Sequence, residues 1–62
     1  MNIIDAFETA KNGKLVKHPE LPEFTYKYKT KYGTAVLCEI DRDIDLIITE
    51  ELLYDWEVME WT

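Results

Sequence analysis

A chain of 62 residues with one cysteine has room for a single hydrophobic core and none for an intrachain disulfide. His18 and Cys38 alone cannot make a four-ligand zinc site, so self-association is the remaining aid to a domain that buries only about 60% of its unfolded surface. The net charge of −6 argues against nonspecific binding to DNA or RNA, which needs cations to neutralise phosphates.

That charge is divided along the chain. Residues 1–38 hold six lysines against four acids (+2), and residues 39–62 hold nine acids against Arg42 (−8). The acidic excess leaves mimicry of nucleic acid, docking to a basic partner, or plain solubility. Met1 to Phe7 has no basic n-region, and no long apolar stretch follows, which predicts a cytoplasmic protein without a signal peptide or a membrane span.

Residues 2–12 read as a helix, because Ile3, Phe7 and Ala10 recur at helical spacing with Ile4 and Ala6 flanking the same face. Asn2 is the expected N-cap, Asp5 sits near the positive end of the helix dipole, and Lys11 followed by Asn12-Gly13 closes it. Lys14 to Lys17 offers a short strand, with Leu15 and Val16 as its inward candidates. Pro19 and Pro22, lacking amide protons, impose a loop or edge over residues 18–23 and leave His18 exposed there, a candidate phosphate contact.

Strict alternation from Phe24 to Tyr32 gives a strand with Phe24, Tyr26, Tyr28 and Tyr32 on one face and Lys27, Lys29 and Lys31 on the other. Gly33 turns it into a second strand, Thr34 to Ile40, and the pair forms an antiparallel hairpin. Cys38 then faces the core beside Val36 and Ile40 as a small hydrophobe. After the polar turn Asp41-Arg42-Asp43, the residues Ile44 to Ile48 supply a third strand. Thr49 caps one helical turn, Glu50 to Tyr54, and Trp56 to Trp61 alternates as a closing strand. The fold class is α+β, with an N-terminal helix packed on a small antiparallel meander sheet and a short helical turn before the last strand.

Two rows on the first long strand are the candidates for function. The lysines lie about 7 Å apart and could neutralise a di- or oligophosphate; equally, they are a solvated strand face that discourages aggregation. The tyrosines could sandwich a purine, and equally they are core or interface packing. A buried tyrosine hydroxyl without a partner costs roughly 1–3 kcal/mol, so at least one of the three tyrosines is expected to reach a pocket or interface. The candidate ligand-binding set is therefore Lys27, Lys29, Lys31, Tyr26, Tyr28 and Tyr32, with His18 and Arg42.

Other motifs fail on their own chemistry. Asp41-x-Asp43-x-Asp45 opens like a calcium loop, but Leu46 and Leu52 stand where its glycine and bidentate glutamate belong. His18 and Cys38 lack an orienting acid and an oxyanion turn, and with only Gly13 and Gly33 there is no glycine-rich phosphate loop, so no enzyme and no cofactor are expected.

The opening Met1-Asn2-Ile3-Ile4-Asp5-Ala6-Phe7, running on to Lys11-Asn12-Gly13-Lys14, and the ending Glu51-Leu52-Leu53-Tyr54-Asp55-Trp56-Glu57-Val58 resemble the small phage Thoeris anti-defence sponges. Where that family has a basic-tryptophan motif after the first turn, this chain has Lys17-His18-Pro19-Glu20. The resemblance implies an α+β homodimer or homotetramer in the host cytoplasm. It would hold a cyclic ADP-ribose-type immune signal at subunit interfaces without cleaving it. The rival reading is an acidic docking inhibitor, with Glu39 to Glu60 imitating nucleic acid; a third is an accessory subunit docking through Trp61 and the aromatic row.

Overall fold

A computed structural model describes residues 1–59. Its elements are α1 (Ile3–Lys11), β1 (Val16–Lys17), β2 (Tyr26–Lys31), β3 (Thr34–Glu39), a 3-10 turn (Glu50–Leu52) and β4 (Glu57–Val58). One helix packs on a four-stranded antiparallel sheet of order β3-β2-β1-β4, an α+β fold. The first three strands meander, and β4 returns to the free edge of β1.

Local chemistry fixes the helix at both ends. The Asn2 side chain accepts from the Asp5 amide at 2.8 Å, and Gly13, at φ 95°, takes the left-handed position after the C-cap Asn12. The buried face of α1 centres on Ala6 and Ala10, whose small side chains let the helix lie close to the sheet. Ile3 and Phe7 are half-buried beside them, and Ile4 points away at 71% exposure.

The hairpin β2–β3 pairs Tyr26 with Glu39, Tyr28 with Leu37 and Lys31 with Thr34, so the tyrosines and Leu37 share the helix-facing side. Cys38, opposite Lys27, lies on the other side. It is fully buried there, which corrects its expected place in the apolar core: Leu37 fills that place. Tyr32 and Gly33, at φ 52° and 78°, form a two-residue turn with both central residues left-handed. Tyr32 is therefore part of the turn, fully exposed, and the aromatic row ends at Tyr28.

Trp56 is the core's largest wholly buried side chain. Its indole N–H donates to the Leu52 carbonyl at 2.6 Å, and its ring meets His18 and Tyr26 edge-on, with centroids 5.2 and 6.0 Å away. Its amide donates to the Met1 carbonyl, its carbonyl accepts from the Met1 amino group, and the Ile3 amide donates to the Leu53 carbonyl, so residues 1–3 and 53–56 are held together around it.

The expected third strand does not form. Residues 44–48 make one bridge, Cys38 to Asp45, at the outer edge of β3. Leu46 alone packs against the core, while Ile44 and Ile47 are 52% and 81% exposed. The 3-10 turn is shorter than the expected helical turn, and Thr49 precedes it without a side-chain cap. The closing strand is Glu57–Val58; the expected remainder, including Trp61, lies outside the described residues.

Removing Trp56 strips the shared contact from all these segments. Trp56→Ala should cost about 3–5 kcal/mol, against a total near 3–9 kcal/mol at roughly 0.05–0.15 kcal/mol per residue for 62 residues. Urea denaturation followed by circular dichroism should find the variant largely unfolded before denaturant is added.

Candidate functional site

The two candidate rows occupy opposite faces of β2, so no single bound molecule can touch both within one chain without wrapping an edge. On the helix side Tyr26 is buried against Trp56 and unreachable. Burial, with the Glu39 carboxylate nearby, pushes its phenol above the ordinary value of 10.0 despite Arg42. Tyr28, two residues on, is only half-buried.

Tyr28 lines an open groove of about 340 Å³ between α1 and the hairpin, with Ile4, Phe7, Glu8, Lys11 and Ala35. The helix brings Ile4, Glu8 and Lys11 to this side at its i, i+4, i+7 spacing, and the short Ala35 side chain leaves the sheet side open. The groove thus combines two aromatic rings, an aliphatic wall and one cation beside one anion. Phe7 packs against the core, as its helical spacing predicts, and also lines the groove, while the sequence gives Lys11 only as a helix-end cation; their place in a groove depends on the helix lying across β2, which local sequence does not state.

On the opposite face the lysines are no free row. Lys29 Nζ lies 3.2 Å from Asp43 Oδ1 and Lys31 Nζ 2.9 Å from Asp45 Oδ1; only Lys27 of the three has no ion pair among the described residues. The Cys38 thiol donates to Asp43 Oδ1 at 2.9 Å. That bond and burial raise the thiol above its ordinary 9.0, while the thiol and then Lys29 hold the Asp43 carboxyl below its ordinary 3.8. Bonding to Asp45 likewise raises the Lys31 ammonium.

His18 is not exposed: it is buried at 2% beneath Trp56. Its Nδ1 accepts from the Glu20 amide at 3.0 Å, so Nε2 carries the proton and donates to the Tyr54 carbonyl at 2.6 Å. Both nitrogens are spent inside the fold, and a phosphate contact is closed to it. Arg42 is engaged as well. Its Nε reaches Glu39 Oε2 at 3.1 Å, and its guanidinium carbon lies 4.4 Å over the Phe24 ring centroid.

Glu39, which the sequence offers as the start of the acidic segment, is instead a buried carboxylate and does not belong to an acidic surface. Burial alone pushes its carboxyl up, but the amides of Asp41 and Arg42, at 3.0 and 2.9 Å, and the guanidinium outweigh it and hold the group below its ordinary 4.5. It ties the 39–43 turn together, where Asp43, at φ 55°, donates its amide back to the Glu39 carbonyl. Tyr32 stands apart from every other candidate, at the hairpin tip.

Compared with family models, curated proteins and solved structures, the chain matches none. No helix among the described residues is long and apolar enough to cross a membrane.

The depressed carboxyls of Glu39 and Asp43 set an acid dependence. The unfolded chain takes up protons more readily at both, so their stabilisation is complete above the ordinary values of 4.5 and 3.8 and is lost as the pH falls through the lower folded values. Thermal melting from neutral pH downward should show a midpoint falling steeply below about pH 4.5. Glu39→Gln should melt lower than wild type at neutral pH and show a shallower acid fall; an unchanged acid limb would remove Glu39 as its source.

Proposed function

We propose that the protein is a non-catalytic sponge for a small nucleotide signal of the cyclic ADP-ribose type, acting for a phage in its host's cytoplasm. The observation that carries this reading is the groove in which Tyr28 and Phe7 offer rings beside the Lys11 ammonium. A purine stacks on such rings, and an ammonium neutralises a phosphate, without any group that breaks a bond. The two terminal segments that resemble the sponge family support the same reading.

Sequestration requires tight binding, on the order of nanomolar, and a nearly closed pocket. The groove is open, so the proposal includes a homodimer or homotetramer in which a second copy covers it. Ile4, 71% exposed at the groove's wall, is the apolar side chain available for that contact. In this reading the lysine row gives way to Lys11, the cation that lines the groove. Tyr26, His18 and Arg42 act as structure.

One observation favours the docking-inhibitor reading as a second. Asp41, Glu50, Glu51, Asp55 and Glu57 are all exposed, in a segment that also exposes Ile44, Ile47 and Tyr54. Asp43 and Asp45 do not belong to that surface, because they are paired with Lys29 and Lys31. Neutralising Asp41, Asp43 and Asp45 together would therefore disturb the lysine face as well. Asp41, Glu50 and Glu51 are the cleaner set.

Native mass spectrometry with cyclic ADP-ribose-type and cyclic oligonucleotide signals tests the proposal. A discrete oligomer should gain intact nucleotide. Tyr28→Leu, which keeps the apolar contact, and Lys11→Gln should each weaken binding at least about tenfold, the equivalent of 1.4 kcal/mol. Neutralising Asp41, Glu50 and Glu51 should leave binding unchanged. A nucleotide returned with altered mass would make the protein an enzyme, and a lone species that binds none of the panel would shift the assignment to docking.

A further inference from the structure

The sheet face turned away from α1 carries an arrangement that neither the core nor the groove uses. Lys27, Lys29 and Lys31 project from alternate positions of β2, and a strap, residues 43–48, runs along the outer edge of β3 from the turn that Glu39 holds and turns Asp43 and Asp45 onto two of them. Its backbone is tied to β3 by two hydrogen bonds beside that bridge, Glu39 amide to Ile44 carbonyl at 2.9 Å and Leu46 amide to Leu37 carbonyl at 2.8 Å. Its side chains reach down with two carboxylates, one on each of two ammoniums.

The side-chain part of this hold is weak. The lysine side chains are 35% and 34% exposed and their acid partners 63% and 38%, and ion pairs so exposed contribute little. Among the described residues only Leu46 gives the strap an apolar anchor, while Ile44 and Ile47 face solvent. Beside it, Cys38 is wholly buried, and its thiol is bound to the same Asp43 that holds Lys29.

A carboxylate on an ammonium stands where a phosphate oxygen would. Three lysines set at strand positions about 7 Å apart suit an extended chain of phosphates rather than one, and a multivalent anion outcompetes single carboxylates because its second contact is intramolecular. Lys27, exposed and without an ion pair among the described residues, makes the first contact.

We propose that the strap is a displaceable lid whose Asp43 and Asp45 are resident stand-ins for phosphate over the row Lys27, Lys29, Lys31, and that a linear polyphosphate, free or carried by a nucleotide, lifts it. This site lies on the face opposite the groove and is independent of the function proposed for it.

Cys38, the chain's one cysteine, is a built-in reporter. The test follows its reaction with dithiodipyridine, a neutral thiol reagent, alongside hydrogen exchange of the Leu46 and Glu39 amides, with inorganic tripolyphosphate as the probe. Tripolyphosphate should accelerate both readouts saturably in the wild-type protein and leave the Val16 amide protected. The double variant Asp43→Asn, Asp45→Asn should open without the anion and bind it about tenfold tighter, because a closed state populated about nine times in ten lowers apparent affinity by that factor. The triple variant Lys27→Gln, Lys29→Gln, Lys31→Gln should ignore the anion altogether.

A nucleoside triphosphate run in parallel separates the two sources. Equal affinity assigns the row to the phosphate chain alone, tighter binding assigns it to a nucleotide, and either supports the site. Three results overturn the proposal: tripolyphosphate that leaves thiol and strap amides unchanged, an Asn variant that binds no more tightly than wild type, or acceleration that extends to Val16, since that would be unfolding and not a lid.

Discussion

The burial of Trp56 is the constraint on which the rest of the molecule depends. A 62-residue chain has little apolar surface to spare, and here one indole joins segments far apart in sequence. Its ring touches His18 in the proline loop and Tyr26 on β2, its N–H satisfies Leu52 in the 3-10 turn, and its backbone pairs with Met1. Those contacts bring β4 to the edge of β1 and fix the start of α1 against Leu53, which sets where the helix crosses the hairpin. The groove between α1, Tyr28 and Ala35 is a consequence of that crossing.

From this frame the sheet acquires two unlike faces. Alternation along β2 sends tyrosines to the helix and lysines away from it, and the register of β3 sends Leu37 one way and Cys38 the other. With a single helix, only one face can be covered by a regular element. The strap serves the other, and it does so mainly through charge, so a buried thiol ends up among ammoniums and carboxylates instead of aliphatic side chains. Part of the chain's acidic excess is spent there. The half that holds nine acids is joined to the lysine-bearing half through Asp43 and Asp45, and the remaining exposed acids face solvent.

What was legible in the sequence follows from interactions that are local. The N-cap Asn2, the left-handed Gly13, the alternation of β2 and the turn at Gly33 all act within a few residues, and the α+β class follows from their order. What escaped depends on partners far along the chain. His18, flanked by Lys17 and Pro19, reads as exposed, and only Trp56, 38 positions later by the numbering, gives it a place inside. Ile44 to Ile48 reads as a strand because Ile44, Leu46 and Ile48 alternate, yet among the described residues it makes no strand pairing beyond one bridge to β3. Tyr32 continues the aromatic parity on paper; the two-residue turn removes it from the strand at the expense of a left-handed backbone.

The candidate site was legible by half, and the missing half is instructive about chemistry on small sheets. Composition along one strand supplies rings and cations in the right number, but the pleat separates them by the thickness of the sheet, so a strand rich in both cannot by itself present both to one ligand. A small protein that is to hold a ring and a phosphate together must recruit the cation from a different element. Here Lys11 stands beside Tyr28 because α1 closes with a basic residue in its last turn, where the helix dipole already favours a positive charge. The residue that stabilises the helix end is thus the one the groove places next to the ring. Enclosure is what one copy of the chain lacks: the open side of the groove, walled by the exposed Ile4, calls for a second surface before any ligand there could be held out of water.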